Sequence, residues 1–155
     1  MIRPATIDDV PAIVEMIREL AEYEHLSHEV LLDERLLAEH LFGDRRYAEV
    51  LLATECAAVV GFALFFHNYS TFLGRPGIYL EDLFVRPAAR KQGHGKALLK
   101  RVAKLALERG CGRLEWSVLD WNTPSIAFYR SLGAKAMDQW TIYRATGEEL
   151  RKLGS

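Results

Sequence analysis

Two acidic residues stand side by side inside an apolar run, Ile78-Tyr79-Leu80-Glu81-Asp82-Leu83-Phe84-Val85. Carboxylates are depleted in strands, and side chains alternate along a strand, so Glu81 and Asp82 are expected on opposite faces of a sheet with at least one of them paired or partly buried. A carboxylate held in a cleft can bind a cationic amine or relay its proton. The plainer alternative is an edge strand with one solvated acid and one acid paired to a structural arginine.

A second segment, Arg90-Lys91-Gln92-Gly93-His94-Gly95-Lys96, sets two glycines among cations just before a helical pattern. Glycines let a ligand approach the backbone, and the free N–H groups and positive end of a following helix attract an anion, so the composition suits phosphate. It is not a P-loop, because Ala97 follows Gly95-Lys96 and Arg90 stands where a glycine is required. Nor is it a dinucleotide fingerprint: Leu98 occupies a Gly or Ala position, and seven residues separate Val85 from Gly93, too many for a tight turn. His94 reads as a surface residue or a phosphate contact. The third segment, Asn122-Thr123-Pro124-Ser125-Ile126-Ala127-Phe128-Tyr129, combines a cap, a first-turn proline and a tyrosine with a polar tip. Trp116 and Trp121 read as packing on the sheet and at the site edge. No metal site is expected, since His25, His28 and His40 lack a matching Cys or carboxylate set. Cys56 and Cys111 lie outside any C-x-x-C pattern and are expected as buried thiols.

These segments need elements to position them. Val10, Ile13, Val14, Ile17, Leu20 and Ala21 recur at helical spacing, with Thr6 and Asp9 as a capping box before them. A second helix is expected from Asp33 to Phe42, stopped by Gly43. Residues 49–54 and 58–67 suit an antiparallel hairpin across the 55–57 link, and Gly61 marks a bulge. An exposed loop over 68–77 precedes the acidic strand, 78–85. A helix then runs to about Arg109, followed by a strand over 113–119, a short helix to Leu132, a last strand over 140–145 and a polar tail helix. Alternation of this kind describes a mixed α/β sheet with one principal crossover.

The chain has 155 residues, 50% hydrophobic and 26% charged, and is expected to form one domain over residues 1–155. No apolar run approaches the ~20 residues that cross a bilayer, and no signal peptide is evident, so neither a membrane role nor export is expected and the compartment is cytoplasm. A formal net charge of -1 argues against bulk attraction to nucleic acid. The charge is unevenly spread: twelve Asp or Glu face four Arg between Asp8 and Glu49, whereas eight Lys or Arg face Glu108 alone between Arg86 and Arg109. One region favours cations and the other anions.

Taken in order, the three segments resemble the GNAT superfamily of acetyl-CoA-dependent N-acetyltransferases. More narrowly, Ile2-Arg3-Pro4-Ala5-Thr6, Ala21-Glu22-Tyr23-Glu24, Tyr79-Leu80-Glu81-Asp82 and Trp121-Asn122 through Tyr129 are similar to the spermidine/spermine (diamine) and thialysine acetyltransferases. The resemblance implies a central mixed, mostly antiparallel β-sheet flanked by helices on both faces, with acetyl-CoA as co-substrate. Leu83, Phe84 and Val85 would present backbone groups to the pantetheine arm, Lys91, Gln92, Gly93, His94, Gly95 and Lys96 would cradle the pyrophosphate with Arg90 also among the coenzyme-binding residues, and Asn122, Thr123, Pro124 and Ser125 would contact coenzyme A. It further implies Tyr129 as the acid that protonates the departing thiolate and Glu81 as a base acting through water. The amine would be lined by Tyr23, Glu24, Glu81, Asp82, Glu115, Trp116, Ser117 and Asp138, and the protein would be a homodimer. The activity implied is transfer of an acetyl group to a primary amine of a small cationic substrate. Other readings are a protein-lysine or peptide N-terminal acetyltransferase, a coenzyme A-binding sensor, and an oligonucleotide-binding module.

Overall fold

The computed structural model describes residues 1–155, which gather into two compact units, Met1–Ser117 and Val118–Ser155. The first unit is built on a five-stranded sheet in chain order: β1 (Ile2–Pro4), β2 (Glu49–Glu55), β3 (Ala58–Ser70), β4 (Arg75–Val85) and β5 (Leu114–Trp116). All pairs are antiparallel except β4 with β5. That parallel pair requires a crossover, which α3 (His94–Glu108) supplies. The sheet is therefore mixed and mostly antiparallel, as expected.

Helices cover both of its faces. On one, Ile13 and Met16 of α1 (Val10–Tyr23) and Leu41 of α2 (Glu34–Phe42) pack with Val50, Leu52, Phe62 and Phe84. Leu52, Phe62 and Phe84 are register partners across three strands, so they share that face. The odd-numbered neighbours Leu51, Ala53, Ala63 and Phe65 are buried on the other face, where α3 buries Leu98, Val102 and Ala106. At the entrance to α1, the Asp9 carboxylate accepts from Arg3 at 2.8 and 2.9 Å and from the Thr6 N–H at 2.7 Å. The Arg3 hydrogen bonds, ahead of the Thr6 contacts, hold its pKa down at about 2. No helix is long and apolar enough to cross a membrane.

Several expectations are corrected. Residues 68–77 are not a loop: Asn68, Tyr69 and Ser70 pair with Gly77, Pro76 and Arg75, and only the turn at 71–74 lies outside the strands. The backbone is close-packed at Gly77, where a Cβ would lie 3.2 Å from the Arg113 carbonyl oxygen. The strand expected over 113–119 forms only at Leu114–Trp116, where β4 offers three register partners. Cys56 is exposed, in a hairpin turn where it and Ala57 take positive φ; only Cys111 is buried.

The second unit holds α4 (Thr123–Ser131) and α5 (Gly147–Leu153). Between them, the strand expected over 140–145 is absent. Its composition favours extended backbone, but a strand needs a neighbour to satisfy its ladder, and none pairs with it. Trp140, Ile142 and Tyr143 stay exposed.

Candidate active site

The register of β4 breaks at the acidic pair. Leu80 pairs with Phe65 and Asp82 with Leu64, leaving Glu81 as the extra residue of a β-bulge. Leu80 thus shares the α3 face with Phe65, while Asp82 joins Leu64 and Phe84 on the α1 face; in a regular strand Leu80 and Asp82 would lie on the same side. The two-residue repeat therefore breaks between Leu80 and Asp82. Glu81 is exposed and Asp82 half-buried. Burial pushes the Asp82 carboxyl up to about 7, with the negative charges of Glu81 and Glu24 adding to the rise. Glu24, at the C-terminal cap of α1, is itself raised by burial. The charges of Glu81 and Glu24 thus both act on Asp82, and Tyr23, the last residue of α1, directly precedes Glu24.

A second bulge lies opposite the end of β4. Ala53 pairs with Gly61 and Thr54 with Val59, so the register shift falls beside the glycine expected to mark it. A Cβ at Gly61 would stand 2.8 Å from the Phe84 carbonyl oxygen and 3.2 Å from Val85 Cγ2. Gly61→Ala should therefore displace the Phe84-Val85 backbone and destabilise the fold by about 1–3 kcal/mol. Thermal denaturation reads the effect, and an unchanged midpoint would refute this close-packing account.

After β4, Arg86 donates its backbone N–H to the Val60 carbonyl at 2.8 Å and a short helical turn over Pro87–Ala89 leads into the basic loop. Lys91 and Gly93 both take positive φ, 64° and 85°. Gly93 precedes α3 with no side-chain cap, so the first-turn N–H groups of that helix have no carbonyl partner within it. No atom lies within 4 Å of a Cβ built at Gly93, and one at Gly95 would meet only Val85 Cγ2 at 3.7 Å. Uncrowded backbone donors at a helix start, with Lys91, His94 and Lys96 around them, fit a phosphate. Arg90 is turned to other partners: its Nε donates to the Val85 carbonyl at 2.8 Å, and its guanidinium carbon lies 5.0 Å from the Tyr23 ring centroid and 5.5 Å from that of Phe84.

The remaining candidates are spread more widely. Within β5 and just after it, Glu115 pairs with Arg113 at 3.0 Å and accepts from Asn68 at 3.2 Å, Trp116 is half-buried, and Ser117 Oγ lies 2.7 Å from the Tyr79 hydroxyl. In the second unit, Asn122 is buried and its side chain accepts the Ser125 N–H at 3.3 Å, capping α4 with Thr123 and Pro124 in the first turn. Tyr129 is half-buried with its ring 5.6 Å from that of Phe128, and Asp138 is exposed.

Residues 11–134 match the model of the Acetyltransferase (GNAT) family. The chain belongs to this GNAT family. A thialysine N-epsilon-acetyltransferase from Bos taurus is 41% identical over 164 residues, covering 99% of this chain and 96% of its own. The L-ornithine N5-acetyltransferase NATA1 of Arabidopsis thaliana is 34% identical, covering 98% of this chain and 86% of its own. Among solved structures, an integron cassette protein from the mobile metagenome of V. cholerae superposes with a TM-score of 0.83 at 29% identity, over 99% of this chain and 96% of its own. This GNAT protein is thus an N-acetyltransferase, of a family whose acyl donor is acetyl-CoA.

One contact in the acetyltransferase escaped the sequence reading. Glu55, at the end of β2, lies 3.3 Å from His94 Nε2, and with the Gln92 amide oriented to satisfy both partners its nitrogen reaches the two Glu55 oxygens at 3.1 and 3.3 Å. No local signal marks Glu55, because a hairpin turn far upstream brings it to the loop.

Proposed function

We propose that this enzyme transfers the acetyl group of acetyl-CoA to a primary amine of a small cationic substrate, of the thialysine, ornithine or diamine type. The observation that carries the reading is the bulge at Glu81, which sets Asp82 where the charges of Glu24 and Glu81 act on it, on the strand that leads into the uncapped basic start of α3. An ammonium entering beside Glu24 and Asp82 relieves their mutual repulsion and ionises Asp82. It must then lose its proton: an alkylamine of pKa near 10.4 is neutral in about one molecule in 2,500 at pH 7. Glu81, exposed on the bulge, takes that proton through water. Backbone N–H groups near Phe84 and Val85 stabilise the oxyanion formed on the thioester. The loop from Lys91 to Lys96 holds the pyrophosphate, Asn122 and Ser125 contact the coenzyme, and Tyr129 protonates the leaving thiolate.

The family match and the relatives span both units, which supports one functional domain over residues 1–155. Trp140, Ile142 and Tyr143 are exposed, and exposed apolar side chains of this kind accord with burial against a second copy, so the reading includes a homodimer; a monomer mass by light scattering at micromolar concentration would exclude it. Two free cysteines accord with a reducing cytoplasm.

The test is coenzyme A release from acetyl-CoA with putrescine, spermidine, spermine, lysine, ornithine, thialysine and a lysine-bearing peptide. Turnover is expected with the small amines. Turnover only with the peptide would transfer the enzyme to the protein-acetylating class, and silence with every amine would leave a coenzyme sensor.

A further inference from the structure

Resting on this reading and extending it, we infer that Arg90 is a positioning residue that couples occupancy of the coenzyme loop to amine binding by seating Tyr23. Arg90 opens the basic loop: its backbone N–H closes the turn at Pro87 with a 3.3 Å bond, and the next residue, Lys91, already takes positive φ. Phosphates held on the N–H groups of residues 91–96 would fix this backbone. The side chain then runs back toward the acceptor side. Its Nε is committed to the Val85 carbonyl, which sets the plane of the guanidinium, and that one cation contacts two rings, Phe84 on β4 and Tyr23 on α1.

Tyr23 is 37% exposed, and the Arg90 guanidinium over its ring is a contact that ties it to the basic loop. Tyr23 directly precedes Glu24, whose charge acts on Asp82. The linkage therefore runs from the phosphate loop through Arg90 and Tyr23 to the carboxylates that meet the ammonium. Were Arg90 to swing to a phosphate, the Val85 carbonyl and both rings would lose it together, whereas the uncapped helix start offers phosphate contacts that need no such movement. Coupling of this kind is reciprocal: coenzyme tightens amine by the factor by which amine tightens coenzyme.

The experiment is calorimetric titration of thialysine into the full-length enzyme with and without saturating coenzyme A, which lacks the acetyl group and so permits no turnover. It is repeated for Arg90→Lys, which keeps the charge but loses the planar stacking and Nε geometry, and for Tyr23→Leu. In the unsubstituted enzyme coenzyme A should tighten thialysine about fivefold, and the factor should fall to about one in both variants. Coenzyme A affinity of Arg90→Lys should stay within about threefold. No coupling in the unsubstituted enzyme, or full coupling in Arg90→Lys, overturns the inference. A large loss of coenzyme affinity in that variant also overturns it and makes Arg90 a phosphate ligand through its planar fork. If coenzyme A fails to bind the unsubstituted enzyme, the acetyl-transfer reading itself falls.

Discussion

Tyr129→Phe is expected to lower kcat by about 100-fold or more while leaving acetyl-CoA affinity within about threefold. A thiolate with a pKa near 8.5 leaves more readily when it is protonated as it departs, and a phenol with a pKa near 10 still holds its proton at neutral pH. Tyr129 lies in α4, half-buried beside Phe128, and phenylalanine keeps the ring while removing only the hydroxyl. The loss should therefore fall on the chemical step, not on the fold. Steady-state kinetics with calorimetry of acetyl-CoA separates the two, and a kcat within twofold of the parent would remove Tyr129 from the acid role.

Asp82→Asn should produce two effects of opposite sign. An unfolded aspartate ionises near pH 4, whereas in the folded chain burial, with the charges of Glu81 and Glu24, pushes Asp82 up to about 7. The folded protein thus binds the proton more tightly. The stability linked to this group is fully present below about pH 4 and is lost as pH rises through about 7. Asparagine removes the penalty, so the variant should be more stable than the parent by about 2 kcal/mol at pH 8 and closely matched at pH 4, a value discounted from the full shift because Asp82 is only half-buried. Binding moves the other way. The amine KM should rise at least about tenfold in the variant, since one of the charges that meet the ammonium is gone. In the parent, amine KM should fall as pH rises through about 7, because Asp82 ionises there while the amine is still protonated; in the variant this step should vanish. Equal melting temperatures at pH 8 together with an unchanged KM would contradict the placement of Asp82.

Much of the scaffold was legible because its signals are local. The apolar spacing from Val10 to Ala21 and in α3 gives helices directly, and a glycine inside an apolar run, Gly61, marks the register shift. The acidic pair, the basic loop and the Asn122–Tyr129 segment each stood out by composition. What could not be read depends on partners distant in sequence. The bulge at Glu81 exists only in the pairing with Phe65 and Leu64, and it decides which face Asp82 takes. The rise of Asp82 needs Glu24 from α1. Nothing local tells that the Tyr23 and Phe84 rings lie against Arg90. Residues 140–145 show the converse: a favourable β composition does not supply a neighbouring strand.

The proposed chemistry is direct attack by the amine, with no acetyl group parked on the protein. Rapid mixing of the acetyl-CoA-loaded enzyme with thialysine, quenched and followed by intact-protein and small-molecule mass spectrometry, tests this most directly. Acetyl-thialysine should form in a single phase as acetyl-CoA disappears, while the protein mass stays constant. An acetylated protein species that appears and decays at the rate of turnover, or loss of acetyl-CoA without acetyl-thialysine, would contradict the account.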